Sequence, residues 1–295
     1  MNKQTIYALG FFDGVHLGHQ ALLSACRDLA AKQGCKAGAV TFTSHPDALV
    51  SGRAPKLLNT IEDRKRLLTA CGAEEIWEIP FDETLRKTPW SDFLNALIDG
   101  GAAGFVCGDD FRFGAEGKGT AGKLAAFCEE NKLPYAIVPE QLLGNVRVSS
   151  THIRSLLEEG NMAEAVAFLG HPHIFTGTVV QGRQLGRTLD FPTANLQLPE
   201  EIQLPRLGVY ACKALAENRE YLAVTNIGTR PTVCGVGVNL EVHLLDFAGD
   251  LYGKELTVAF YQFLRPEQKF HCLEELRREI QRNTLQTRTF FEKSE

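Results

Sequence analysis

The chain has 295 residues, 44% hydrophobic and 23% charged, which describes a globular protein with room for two ordinary cores and excludes a disordered or collagen-like polymer. A formal net charge of −5 argues against a nucleic-acid partner, which draws a basic surplus. No apolar run approaches the roughly 18 residues of a membrane span, MNKQTIYALG lacks the length and apolarity of a secretory signal, and the expected setting is the cytoplasm.

The first half alternates strand-like and helix-like segments. TIYAL (5–9) leads into HQALLSACRDLAAKQG (19–34), where Leu22, Ala25, Cys26, Leu29 and Ala30 share one helical face and Gly34 is placed as a stop. AGAVTF (37–42) is a continuous apolar run, as in a strand covered on both faces. IEDRKRLLTACG, SDFLNALIDGG and AGKLAAFCEENK read as helices, with EIWEIPF, GFVCG and YAIVP as strands between them. This predicts a parallel sheet wrapped by helices.

VRVSSTHIRSLLEEGNMAEAVAFLG (146–170) reads as a short strand, two helices and a glycine stop. From 175 to about 264 the segments FTGTVV, VYACKAL, YLAVTNIG, NLEVHLLDF and ELTVAFYQFL, punctuated by Gly, Pro and Asp, predict an antiparallel barrel. A final helix is expected over roughly CLEELRREIQRN. The predicted class is α/β: a Rossmann-like domain over 1–172, then a β-barrel with a terminal helix over 173–295. The eight cysteines are scattered, with no C-x-x-C, so neither zinc nor a disulfide framework is expected.

GFFDGVHLGHQ (10–20) stands between the first strand and the first helix. A helix start offers unpaired N–H groups and about half a positive charge, which suits phosphate. Gly10, Gly14 and Gly18 allow close backbone approach, Asp13 fixes the turn or lies near a metal, and His16 and His19 are candidate donors to phosphate oxygens. On the motif alone, a pair of capping or core histidines explains it equally well. VSSTHIR (148–154) is a second candidate: Ser149, Ser150 or Thr151 caps a helix that carries Arg154 in its first turn, a guanidinium suited to bidentate phosphate binding.

H-x-G-H early and S-S-T-x-x-R late resembles the nucleotidyltransferase superfamily. FDGVHLGHQ, TFTSHPD, LLNTIEDRKRLL, GDDFRFG and VSSTHIRSLLEEGNMAEAVAFLG are similar to the FMN adenylyltransferase module of bacterial bifunctional riboflavin kinase/FAD synthetases, and GTVVQGRQLGRTLDFPTANL and NLEVHLLDFAGDLYGKEL to its kinase module. The resemblance implies that Gly10, Asp13, His16, Gly18, His19, Ser150, Thr151 and Arg154 form an ATP site, with His16, His19 and Arg154 acting in catalysis. It places Asp110, Phe111 and Phe113 near the flavin, Gly177, Gly182 and Gly186 around a second ATP, Thr193 and Asn195 at Mg²⁺, and Glu241 as the base of the kinase. Mg²⁺ prefers oxygen donors, and a hydroxyl with an amide carbonyl meets that preference.

The implied activity is the phosphorylation of riboflavin to FMN and the adenylylation of FMN to FAD with release of pyrophosphate. The implied partners are small molecules (riboflavin, FMN, ATP), with no nucleic acid and no membrane, in a monomer or weak homo-oligomer. Rival readings are an enzyme with one of the two halves silent, and a flavin- or nucleotide-binding regulator without catalysis. Phe11 stands where the family often has Asn, Ser44 where Pro is common, Asp190 where Gly is common, and His171 and His173 where Arg and Tyr are frequent.

Overall fold

The computed structural model describes residues 4–50, 52–182, 191–197, 199–232 and 235–293. They form two compact units, Met1–Leu57 with Ile61–Ser150, and Leu58–Thr60 with Thr151–Glu295.

In the first unit the chain runs β1 (Thr5–Leu9), α1 (Leu17–Gln33), β2 (Lys36–Phe42), α2 (Pro46–Val50), α3 (Ile61–Ala70), β3 (Glu75–Ile79), α4 (Glu83–Lys87), α5 (Trp90–Asp99) and β4 (Ala102–Gly108). A small hairpin of β5 (Arg112–Phe113) and β6 (Gly119–Thr120), then α6 (Ala121–Glu130), β7 (Tyr135–Val138) and a hairpin of β8 (Leu142–Leu143) and β9 (Val146–Arg147) complete it. The sheet is parallel in the order β3-β2-β1-β4-β7. All five residues of β1 are buried because both faces are covered. Ile6 and Ala8 pack with Leu22 and Cys26 of α1, while Tyr7 and Leu9 pack with Phe93 and Leu97 of α5. As expected, α1 stops at Gly34, whose φ of 66° lets its N–H reach the carbonyls of Ala30 and Ala31.

The strand order reverses between β1 and β4. Their carboxyl ends therefore open a crevice, the place where doubly wound sheets bind ligands. The H-x-G-H turn follows β1 and GDDFRFG follows β4, so the topology brings two motifs 100 residues apart to one sheet edge.

The second unit takes most of α7 (Ser150–Glu159), then α8 (Met162–Leu169), β10 (His173–Val180), β11 (Ala194–Leu196), β12 (Gly208–Ala216), β13 (Arg219–Thr232), β14 (Gly235–Leu244), β15 (Glu255–Arg265) and α9 (Leu273–Glu292). The strands close an antiparallel barrel in the order β10-β11-β14-β13-β12-β15. Phe175 and Tyr210 each meet Phe260 edge-on at 5.4 Å in its core.

Two elements correct the sequence reading. β11 has only the residues ANL, too few for alternation to register. α9 runs nine residues beyond the expected end at Asn283, because Asn283, Thr287 and Phe291 at i, i+4 and i+8 continue the buried stripe with polar residues that the pattern discounts. Arg265 at the end of β15 ties this helix down, with Nε 3.2 Å from Oε1 of Glu279 and 3.3 Å from Oδ1 of Asn283.

Candidate active sites

The turn after β1 is built from unusual backbone. Phe12, Gly14 and Val15 have φ of 59°, 81° and 40°. Glycine accepts that region freely, but a phenylalanine and a β-branched valine there are strained, at a cost on the order of 1–3 kcal/mol each. Both side chains are fully buried, so packing holds what local preference opposes. Such strain persists where the surroundings over-determine it, typically at functional sites.

This turn delivers His16 in extended conformation as the N-cap of α1, where Nδ1 accepts the backbone N–H of His19 at 3.4 Å. An acceptor Nδ1 puts the proton of the neutral ring on Nε2, which is then a donor. The capping and phosphate-donor readings are therefore compatible in one residue. The rings of His16 and His19 stack 3.7 Å apart, and His19 also meets Phe12 edge-on at 5.2 Å. Burial first, then the charges of His16 and Arg64, push His19 well below the usual histidine range, so it is neutral at pH 7.

The glycines answer to neighbouring rings. A Cβ on Gly18 would lie 3.2 Å from the His16 ring, and one on Gly10 would lie 3.1 Å from Phe12. Asp13 is buried, and its carbonyl accepts the Ser150 hydroxyl at 2.9 Å across 137 residues of sequence. The structure thus gathers Gly10, Asp13, His16, Gly18, His19 and Ser150. Thr151 is exposed and Arg154 half-buried on the part of α7 that belongs to the second unit.

On the β4 side of the crevice, Asp110 is exposed and paired with Arg147, whose Nε also lies 3.1 Å from Glu140. Phe111 and Phe113 stack 5.5 Å apart. Phe113 is a core residue packed on Phe93, and the half-buried Phe111 is the outer ring of the pair.

The second centre lies on the barrel. In β14, Leu240, Val242 and Leu244 turn to the core, leaving Asn239, Glu241 and His243 on the opposite face by the two-residue period of a strand. Glu241 is the direct cross-strand partner of Asn195 on β11. Asn239 links them: its Nδ2 donates to Oδ1 of Asn195 at 3.0 Å and to Oε1 of Glu241 at 2.8 Å. His243 donates from Nδ1 to the Pro192 carbonyl at 2.9 Å and meets Phe191 edge-on at 5.4 Å, which fixes the segment that carries the half-buried Thr193. A Cβ on Gly182 would fall 2.2 Å from Nδ2 of Asn195, so a larger residue there would have to displace that amide. Gly177 lies within β10, and Gly186 and Asp190 lie outside the described residues.

Among the described residues no group of three or more His, Cys, Asp or Glu is placed to hold a metal. The oxygen donors of Thr193 and Asn195 fit a different arrangement, in which a hard cation arrives with phosphate oxygens that complete its shell. The Asn195 carbonyl oxygen, oriented by Asn239, keeps a second lone pair for that purpose.

Residues 1–152 match the family model described as FAD synthetase, and residues 169–291 the one described as riboflavin kinase. A bifunctional riboflavin kinase/FMN adenylyltransferase of Listeria monocytogenes is 34% identical over 98% of this chain and 93% of its own length. The Escherichia coli K12 protein of the same name is 38% identical over 97% of this chain and 92% of its own. The chain belongs to the bifunctional riboflavin kinase/FMN adenylyltransferase family. A crystal structure described as a macrolide-efflux protein of Streptococcus pneumoniae superposes with a TM-score of 0.87 at 29% identity, covering 98% of this chain and 95% of that one. Among the described residues of this family member, no helix is long and apolar enough to cross a membrane.

Three residues inside the quoted motifs were given no role by the sequence reading. Asn239 and His243 share a strand face with Glu241, and the spacing N-x-E-x-H was the available signal. Arg64 carried none, because an arginine in a helical EDRKRLL reads as solvated surface, yet it is fully buried.

Proposed function

We propose that the chain makes FAD from riboflavin in two ATP-dependent steps, with residues 173–295 as the kinase and 1–172 as the FMN adenylyltransferase. The observation that carries the reading is the pairing of Asn195 with Glu241 through Asn239, which sets a carboxylate beside oxygen donors suited to a metal-bound phosphate. In the kinase step Glu241 accepts the proton of the riboflavin 5′-hydroxyl as that oxygen attacks the γ-phosphorus of ATP and ADP leaves. Thr193 and Asn195 would hold Mg²⁺, which offsets phosphate charge, and Gly177, Gly182 and Gly186 leave room for the nucleotide.

In the second step a phosphate oxygen of FMN attacks the α-phosphorus of ATP and pyrophosphate leaves, so no protein nucleophile is needed. His16, His19 and Arg154 stabilise the charge that builds on the phosphorus oxygens. Gly10, Asp13, Gly18, Ser150 and Thr151 shape the ATP site, and Asp110, Phe111 and Phe113 form the flavin side, with Phe113 backing Phe111. The setting we propose is the cytoplasm, without a nucleic-acid partner, as a monomer or weak homo-oligomer.

Incubation with riboflavin, ATP and Mg²⁺, followed by chromatography of the flavins, tests this. Both FMN and FAD are expected. Glu241→Ala should stop FMN formation and spare conversion of FMN to FAD; His16→Ala should do the reverse, by about a hundredfold or more. FMN without FAD would sink the adenylyltransferase half, and neither product would leave a binding protein.

A further inference from the structure

Arg64 is the largest fully buried side chain among the described residues. Its Nη1 donates to Oγ1 of Thr41 at 3.2 Å and to the carbonyl of Phe42 at 2.9 Å, while Nε and Nη2 are buried without a hydrogen-bond partner. Arginine is almost never buried in this way without a paired anion, and an unsatisfied buried charge requires an explanation. The acidic neighbours Asp13 and Glu78 act on it only through space.

The guanidinium is held in place on one side by Phe11. Its Cζ lies 4.2 Å over the centre of the Phe11 ring, a cation–π contact, and that ring is braced edge-on by His45 at 4.8 Å. Thr41, which accepts from Arg64, donates in turn to the Phe11 carbonyl at 2.8 Å. The charge of Arg64 reaches the H-x-G-H turn, since it lowers the proton affinity of His19.

We propose that Arg64 is a positioning residue for the nucleotide: a fixed cation, plated on Phe11, whose missing counter-charge is supplied by the phosphates of ATP bound at the H-x-G-H turn. A buried charge left uncompensated in the free protein attracts the anion strongly, because the surrounding medium screens it poorly. The inference rests on the adenylyltransferase reading of the first unit.

The test uses the full chain and pyrophosphate as the probe, with binding followed by calorimetry and by the rise in melting temperature. Arg64→Lys keeps the charge; Arg64→Gln keeps a hydrogen-bond donor without it. Pyrophosphate affinity should fall at least tenfold in R64Q and stay within about threefold of wild type in R64K. Phe11→Leu, which keeps an apolar side chain but removes the plate, should raise KM for ATP in FAD synthesis several-fold at nearly constant kcat. Riboflavin phosphorylation serves as the fold control and should be unchanged in all three. Equal affinities in R64Q and R64K overturn the proposal for Arg64, and an unchanged KM in F11L overturns the role of Phe11. A wild-type protein that makes no FAD from FMN overturns the reading beneath both.

Discussion

The imidazoles of His16 and His19 lie stacked, with ring centres 3.7 Å apart and planes 14° from parallel. Two rings this close cannot both carry a proton cheaply, and desolvation, with the nearby charges, holds His19 neutral. In the unfolded chain the same side chain takes up a proton below its ordinary value of 6.5. The unfolded state then binds more protons than the folded one, so stability falls as pH drops below about 6.5. His173, buried in the second unit and pushed down to about 3 chiefly by desolvation, adds to the loss with the same sign. Urea midpoints measured from pH 7.5 to 5 should therefore decline, and His19→Asn should flatten part of that slope. A wild-type midpoint constant over this range would contradict the neutral state of these two histidines.

Asn239 spends both hydrogens of one amide on the proposed metal ligand and the proposed base. Asn239→Leu leaves Asn195 and Glu241 in place but removes the amide that links them, and groups that orient ligands are worth about ten- to a hundredfold. FMN formation should fall by that factor while FMN-to-FAD conversion is kept. Separate assays of the two steps on one preparation check it, and a normal kinase rate would remove Asn239 from the account.

Gly182→Ala probes the same centre from the opposite side. The added methyl would meet Asn195 at 2.2 Å, and that side chain, 5% exposed and bonded to Asn239, has nowhere to retreat. The variant should match Asn195→Ala in its kinase defect, with the adenylyltransferase rate unaltered. A G182A enzyme that phosphorylates riboflavin normally would show that Asn195 is free to move.

Arg265→Met should loosen α9 from the barrel. It leaves Glu279, 19% exposed at its side chain, with the longer contact to the exposed Arg282 at 3.8 Å and removes the bond to the buried Asn283. Breaking a largely buried pair costs about 3–5 kcal/mol, and partial exposure brings the expectation to about 2–3 kcal/mol. Thermal unfolding should show the loss as a lower midpoint, and a shift under 1 °C would assign α9 to other contacts.

The sheet, the barrel and the family were legible because they rest on long-range regularities: buried runs such as AGAVTF, alternation such as NLEVHLL, and motifs held in order along the chain. The end of α9 was not, because Asn283 and Thr287 face the barrel as polar residues. Within the proposed sites, the sequence reading named candidate groups for the chemistry and passed over the residues that contact and position them. His16 was legible as either cap or donor, and only the position of its Nδ1 against the His19 amide showed one ring suited to both. Arg64 was illegible because its environment is made by Phe11, Thr41 and Phe42, residues distant from it in sequence.

The left-handed turn at Phe12, Gly14 and Val15 is held by the packing around it and by scattered hydrogen bonds, among them Ser150 to the Asp13 carbonyl and Gln20 to the Val15 carbonyl, whereas Asn195 and Glu241 are pinned by the continuous ladder of a closed barrel. Packing-held strain yields to local opening sooner than a closed hydrogen-bonded ladder. Warming should therefore disable the two activities in sequence, adenylylation first. Between the two losses, heated enzyme should release its flavin one step early, so that the ratio of FMN to FAD in the product becomes a thermometer for that single turn.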